Sequence, residues 1–479
     1  MKLLILLIAA LMQSSSLYYV DGVYYSANSV CRPPSDNPDA YQNLENVIIR
    51  DTVRQGQTLW NITGIREFAF SDSKRLKTIS GNNIAYMSIY ALTRCDSLEY
   101  VNFPNLRIIY MGAFSQSGIK SIDLSNVTEI GDRAFSACRR LESIILPPTL
   151  TEISAMFFVG CESLKSLDLQ NVSSIGRSAM QNCSSLESII VTGKLTNVGH
   201  KAVSGTAWLN AQPDGVVCLG NVVCDWKGEL IDNRKVDINR GYYVGEGCFE
   251  GMDQMKELTI GEQVWKINKD AFKDCHNLRK LNYNATSCDV EPTHIWNYVS
   301  SPFPMNEDEI DNVPREIIQL EEVTFGNNVI RIPASLLVGQ KKLKTIELPA
   351  SLRTIESGAF RDCTGLRSVC CRFDNPNISF NIYNSFYGIP DDCVLYVPCG
   401  TLISFKQSEE WNKVFKIIKE YPQKDINGDG NIDIADLNIA LNIMLHKEDV
   451  TAPYEADVNA DGTVDIADIN MIINGILGK

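Results

Sequence analysis

Two stretches near the end of the chain space oxygen-bearing side chains as a loop around one hard cation would need them. The first runs Asp425-Ile426-Asn427-Gly428-Asp429-Gly430-Asn431-Ile432-Asp433-Ile434-Ala435-Asp436. The second, 32 residues on, runs Asp457-Val458-Asn459-Ala460-Asp461-Gly462-Thr463-Val464-Asp465-Ile466-Ala467-Asp468. Each offers Asp or Asn at loop positions 1, 3, 5, 9 and 12, with Gly at position 6 for the sharp turn. Calcium takes six to eight oxygens, and this spacing gathers them around one point. The first ligand set is therefore Asp425, Asn427, Asp429, Asp433 and Asp436, with the backbone carbonyl of Asn431 at position 7. The second is Asp457, Asn459, Asp461, Asp465 and Asp468, with the carbonyl of Thr463. Asp433 and Asp465 suit contact through water. Two copies imply two Ca²⁺ ions.

Charge agrees. The formal net charge is −14, and eleven acidic residues against two basic ones lie from Asp425 onward. The tail thus holds most of the excess acid, which reads as cation binding. No basic patch suggests a nucleic-acid surface.

The elements that position these loops are short helices. Pro422 and Pro453 precede the loops closely and disfavour a helix running into them. Helical segments are predicted after them, over 437–445 and 469–477. A loop followed by an exit helix, twice, with Asp rather than Glu at position 12, resembles the type I dockerin module. That resemblance implies a cohesin domain as partner. It implies contacts at Ile434, Ala435, Leu441, Asn442 and His446 in the first copy, and at Ile466, Ala467, Ile473 and Asn474 in the second. Leu441 and Ile473 suit a core position equally well. The Ser-Thr pair common at the first two of these positions is absent, which leaves open an uncommon cohesin specificity or a different partner.

The rest of the chain repeats. A large apolar residue falls at Phe70, Leu92, Phe114, Phe135, Phe158, Met180 and Val203, in steps of 21 to 23 residues. It returns at Phe249 and Phe272, then at Leu337 and Phe360, each pair 23 apart. A fixed period of this size means a solenoid, in which each coil buries its apolar face against its neighbours. Alternation at Leu141, Ile144 and Leu146 predicts a short strand in each coil. The Ala-Phe segment is expected as a tight helical or irregular turn. The phrase Ala-Phe-x-x-Cys-x-x-Leu-x-x-Ile-x-Leu-Pro resembles the BspA-like leucine-rich repeats of bacterial surface proteins. Leu395-Tyr396-Val397-Pro398-Cys399-Gly400, with Trp411 and Phe415 behind it, resembles the terminal unit of such arrays. The resemblance is specific for fold and unspecific for ligand.

The chain therefore reads as an α/β repeat protein, a β-rich leucine-rich-repeat solenoid followed by a small all-α dockerin. Residues 1–16 read as a signal peptide: one Lys, an apolar run too short to span a bilayer, then small residues. Residues 17–60 form an N-terminal cap, opened by a hairpin at Asp21-Gly22. The solenoid covers 61–394, with insertions at 204–248 and 285–320; a C-terminal cap covers 395–421 and the dockerin 422–479. The expected product is secreted or surface-associated, without membrane insertion.

Cys95, Cys138, Cys161, Cys183, Cys275 and Cys363 each sit three residues after the apolar landmark. Equivalent side chains in stacked coils point the same way, so these read as a row of buried free thiols rather than a disulfide ladder. Bonds among Cys370, Cys371, Cys393 and Cys399, or between Cys218 and Cys224, stay open. The four histidines, His200, His276, His294 and His446, form no spaced ligand pair. No nucleophile motif or phosphate loop is present. The leading reading is a non-enzymatic binding or adhesion protein, docked through its tail to a cohesin-bearing scaffold or surface protein, with an unknown protein or glycan held by the solenoid. The alternatives are a free adhesin whose tail is structural, and a dockerin-borne polysaccharide-degrading enzyme.

Overall fold

The computed structural model describes residues 17–230, 234–290, 319–377, 382–398, 400–420, 426, 432–445, 456, 458 and 464–477. The expected signal peptide and most of the 285–320 insertion lie outside them. The chain falls into two compact units, one up to Lys227 and one from Gly228.

In the first unit, Tyr18–Val20 pairs antiparallel with Val23–Ser26. Asp21 and Gly22 between them both take positive φ, 50° and 84°. The coils that follow have three sides. One is a strand of three residues, as in Asn46–Ile48, Thr78–Ser80 and Tyr100–Asn102, which pair in parallel. The second is a two-residue strand, as in Gly64–Ile65, Tyr86–Met87, Ile108–Ile109 and Glu129–Ile130, also parallel. The third is a turn that carries the apolar landmark. Leu76, Leu98, Ile119, Leu141, Leu164 and Leu186 recur one per coil and are fully buried. Each such side chain contributes about 1.5–3 kcal/mol relative to exposure, and only stacking provides that burial.

The landmark turn is not helical. The residues two before and two after the landmark have positive φ: Phe68 and Asp72, Tyr90 and Arg94, Gly112 and Gln116, Arg133 and Ala137, Met156 and Gly160. That conformation points three alternate N–H groups along the stack instead of back along the chain. Phe68, Phe70 and Asp72 donate to the carbonyls of Ile89, Ala91 and Thr93 in the next coil, at 2.9–3.1 Å. The pattern repeats from Tyr90, Leu92 and Arg94 to Met111, Ala113 and Ser115. A helix would have spent these donors internally; here they bind coil to coil. The landmark rings stack: Phe114 on Phe135 at 5.3 Å and Phe135 against Phe157 and Phe158 at 5.8 and 6.1 Å.

The thiol row is part of the same ladder. Cys95, Cys138, Cys161 and Cys183 are free and fully buried. Their Sγ atoms donate to the landmark carbonyls one coil earlier, those of Phe70, Phe114, Phe135 and Phe158, at 3.0–3.1 Å. Cys275 and Cys363 do the same in the second unit, with Phe249 and Leu337. Cys218, Cys224, Cys370, Cys371 and Cys393 are in no disulfide among the described residues; Cys399 lies outside them. Where the sequence departs from its phrase, Gly215–Leu219 and Val222–Lys227 pair as an antiparallel hairpin.

In the second unit the longer strands form two parallel sheets of four: Lys235–Ile238, Glu257–Ile260, Lys280–Tyr283 and Glu322–Phe325, then Thr345–Leu348, Ser368–Cys371, Val394–Val397 and Ile417–Glu420. Phe249 stacks on Phe272 at 5.5 Å, and Phe360 on Phe386 at 4.7 Å. Phe386 thus continues the landmark column beyond its last sequence-recognised member, with Phe360 N donating to Ser385 O at 2.8 Å. Trp411 and Phe415 close this end with the buried rings of Phe386 and Phe405. The fold is a β-rich solenoid with few helices. Among the described residues, no helix is long and apolar enough to cross a membrane.

Candidate metal centre and docking face

The exit helices are Ile434–Met444 and Ile466–Ile476. Each is opened by a reciprocal pair of aspartates three residues apart. Asp433 caps the first helix, accepting from Ala435 N at 2.7 Å, and Asp436 accepts from Asp433 N at 2.8 Å. Asp465 and Asp468 repeat this in the second, at 2.7 and 2.9 Å. The Asp-x-x-Asp spacing that starts each helix was legible as ligand positions 9 and 12; its second role as a capping box was not read from the sequence. The helices therefore begin at these aspartates because their carboxylates cap the first turn.

Asp436 and Asp468 are fully buried. A buried carboxylate is costly unless its lone pairs are used. Asp436 takes the N–H of Ile426, at loop position 2, on one oxygen at 2.6 Å and that of Asp433 on the other. Both carboxylates also face the positive end of their helix dipole. A divalent cation is what a buried, backbone-held carboxylate in an acidic loop suits. The donors present are hard oxygens and fit calcium. Asp433, Asp436, Asp465 and Asp468 would hold it. Asp425, Asn427, Asp429, Asn431, Asp457, Asn459, Asp461 and Thr463 lie outside the described residues.

Between the helices lies a small core of Ala440, Ile443, Ala456, Val458, Ile469 and Ile472. Leu441 and Ile473 are half-buried and pack against it, as does Ile426. Asn442 is half-buried and Asn474 exposed. The residues at loop position 10, Ile434 and Ile466, are the most exposed of the module's large apolar side chains among the described residues, at 66% and 69%, with Leu445 and Leu477 at the helix ends next. Ala435 and Ala467 beside them are exposed too. The duplication thus places two equivalent Ile-Ala pairs on the first turn of each helix, outside the core. His446 lies outside the described residues.

The model of the BspA type leucine-rich repeat region matches the chain in six copies, over 42–140, 107–212, 233–301 and 311–389. That of the dockerin type I domain matches 423–477. Among solved structures, the chain is similar to a leucine-rich repeat protein from Bacteroides ovatus, with 19% identity over 80% of this chain and 97% of that one, TM-score 0.36. It is similar to a leucine-rich cell surface protein from Faecalibacterium prausnitzii, with 16% identity over 84% and 98%, TM-score 0.30. It is also similar to the pneumococcal vaccine antigen PcpA, with 14% identity over 85% and 97%, TM-score 0.35. No curated protein matches the chain.

Proposed function

We propose, for a chain that belongs to the BspA-type leucine-rich-repeat family and ends in a type I dockerin domain, that the solenoid holds a target while the tail docks the protein on a cohesin domain. In this reading the protein is secreted, non-enzymatic and attached to a cohesin-bearing scaffold or surface protein. Two Ca²⁺ ions, one per loop, order the tail. The dockerin domain supports calcium and cohesin as the classes of ion and partner.

The observation that carries the reading is the pair of exposed isoleucines. A module with a core of six buried residues has every reason to bury Ile434 and Ile466, yet leaves both more than half exposed at equivalent places. Exposed β-branched side chains on a rigid first turn suit a partner surface. Ile434 with Ala435, and Ile466 with Ala467, would be the contact pairs, with Leu441, Asn442, Ile473, Asn474 and His446 flanking them. Near-identity of the two copies gives two almost equivalent docking faces.

The test is capture of the full chain on an immobilised panel of type I cohesins, in calcium and in chelator. Capture is expected only in calcium. Ile434→Asp together with Ile466→Asp should abolish it while calcium-dependent helix ordering persists. Capture that survives excess chelator, or that ignores both substitutions, refutes the reading.

A further inference from the structure

The longer-strand side of the first unit is broken at two rungs, one between Ser143–Ile145 and Ser166–Asp168 and an earlier one that carries a cleft. Asn46–Ile48, Thr78–Ser80 and Tyr100–Asn102 form one sheet, and Ser121–Asp123 begins another with Ser143–Ile145. Elsewhere the coils are tied just before these strands, by Glu99 N to Lys77 O at 2.9 Å and Glu142 N to Lys120 O at 2.8 Å. Between Tyr100–Asn102 and Ser121–Asp123 no strand pairing forms among the described residues. The coil between them is the short one, the 21-residue step from Phe114 to Phe135. Gly118 lets it pass tightly, since a Cβ there would stand 2.1 Å from Asp96 O.

The break opens a cleft of about 540 Å³, with Tyr100, Asn102, Ser121, Asp123, Asn126 and Ser143 in its lining. Tyr100 is 58% exposed. Asp123 is held in place by Ser125, whose N–H donates to it at 2.9 Å and whose hydroxyl donates to the same oxygen. Those bonds keep its carboxyl below the usual range. The side chains of Asn102, Ser121 and Ser143 make no hydrogen bond among the described residues. No Lys or Arg lines the cleft. The corresponding strands of the second unit are unlike this. There Lys235 pairs with Glu257 at 3.6 Å, Lys280 with Glu322 at 2.6 Å and Arg372 with Glu347 at 2.6 Å. That face spends its charged groups on itself; this one leaves the side chains of Asn102, Ser121 and Ser143 to a ligand.

We propose that the cleft at this broken rung binds a neutral glycan, with the Tyr100 ring against a sugar face and Asn102, Asp123 and Asn126 taking its hydroxyls. The proposal rests on the solenoid being the part that holds a target. An aromatic ring with free planar amides and one ionised carboxylate matches a ligand that has both an apolar C–H face and many hydroxyls. The size falls in the range of small-ligand clefts, about 300–1,000 Å³. An anionic polysaccharide would meet a carboxylate and no cation. An extended peptide fits less well: a strand inserted at the break needs roughly 9.6 Å between its neighbours, and Cα atoms of the two bounding strands approach within 8 Å.

Affinity electrophoresis of the full chain tests this, in gels containing a mixed-linkage β-glucan, a galactomannan or an arabinoxylan, with polygalacturonate as the anionic arm. At least one neutral gel should retard the protein, and polygalacturonate should not. Tyr100→Ala and Asp123→Ala should each weaken retardation by about tenfold or more. Tyr100→Phe should retain it, and Trp265→Ala, at an exposed ring of the second unit, should not change it. Absence of retardation in every neutral gel overturns the proposal, as does retardation by gelatin through the same residues. Retardation that survives Tyr100→Ala with Asp123→Ala overturns the cleft while leaving the solenoid as the target-holding part. Cohesin capture on the same preparation reports separately on docking.

Discussion

Replacing Asp436 and Asp468 by Asn tests whether the buried carboxylates serve a cation or only the helix starts. Asn keeps the volume and one acceptor oxygen. In the first loop it leaves one of the two backbone donors, Ile426 N or Asp433 N, without its carboxylate oxygen. An orphaned buried donor costs about 1–3 kcal/mol. Against this, the substitution removes a buried negative charge, which is costly to keep without a cation. In chelator the two effects oppose each other, so the variant should lie within about 1–2 kcal/mol of the parent. In calcium they do not. Free calcium at a hundredfold above Kd stabilises a folded loop by about 2.7 kcal/mol, hence roughly 5 kcal/mol for both. The double variant forfeits most of that. Hydrogen exchange over 434–444 and 466–476 should therefore slow by about four decades in the parent on calcium addition, at about 1.4 kcal/mol per decade. In the variant it should slow by less than one. Equal slowing in both proteins, or a parent whose exit helices are as protected in chelator as in calcium, refutes the argument that these carboxylates need the ion.

Phe135 is fully buried between Phe114, Phe157 and Phe158, so Phe135→Ala should cost about 3–5 kcal/mol, read by urea unfolding; a loss below about 1 kcal/mol would mean the ring does not fill the stack. Alkylation without reduction should leave Cys138, Cys161 and Cys183 unlabelled in the native protein and label all three after denaturation; a disulfide joining any two would end the thiol-ladder account. Burial pushes the thiols of Cys95, Cys275 and Cys363 up to about 12 and that of Cys138 to about 11. The fold therefore favours the neutral thiols, and that contribution is whole below the unfolded value, about 8.5. It is lost as pH rises towards the folded values, by about 1.4 kcal/mol per thiol per pH unit. The urea midpoint should thus fall steeply between pH 9 and 11, and replacing Cys95 and Cys138 by Ala should flatten that fall in the first unit; an unchanged slope would show that other groups govern it.

The sequence by itself determined the repeat and the loops, because in both a residue type is dictated by what must meet it. Phe135 must meet Phe114 and Phe158, and Cys161 must fit under a landmark carbonyl, so the period is written in residue types. The Asp-x-Asn-x-Asp-Gly spacing is written by the oxygens one ion needs. Three features were decided only by tertiary structure. The left-handed turn residues include Phe68, Tyr90, Arg133 and Met156, which carry no preference for that conformation; hydrogen bonds to the next coil impose it, where a helix or an irregular turn was an equal expectation. Ile434 and Leu441 are both apolar and both stood as contact candidates, but the pairing of the two helices turns Leu441 towards the shared core and leaves Ile434 in solvent. The cleft beside Tyr100 lies where Tyr100–Asn102 and Ser121–Asp123 do not pair, which no residue type announces. Hydrogen bonds between coils are a property of the stack, not of any one of them.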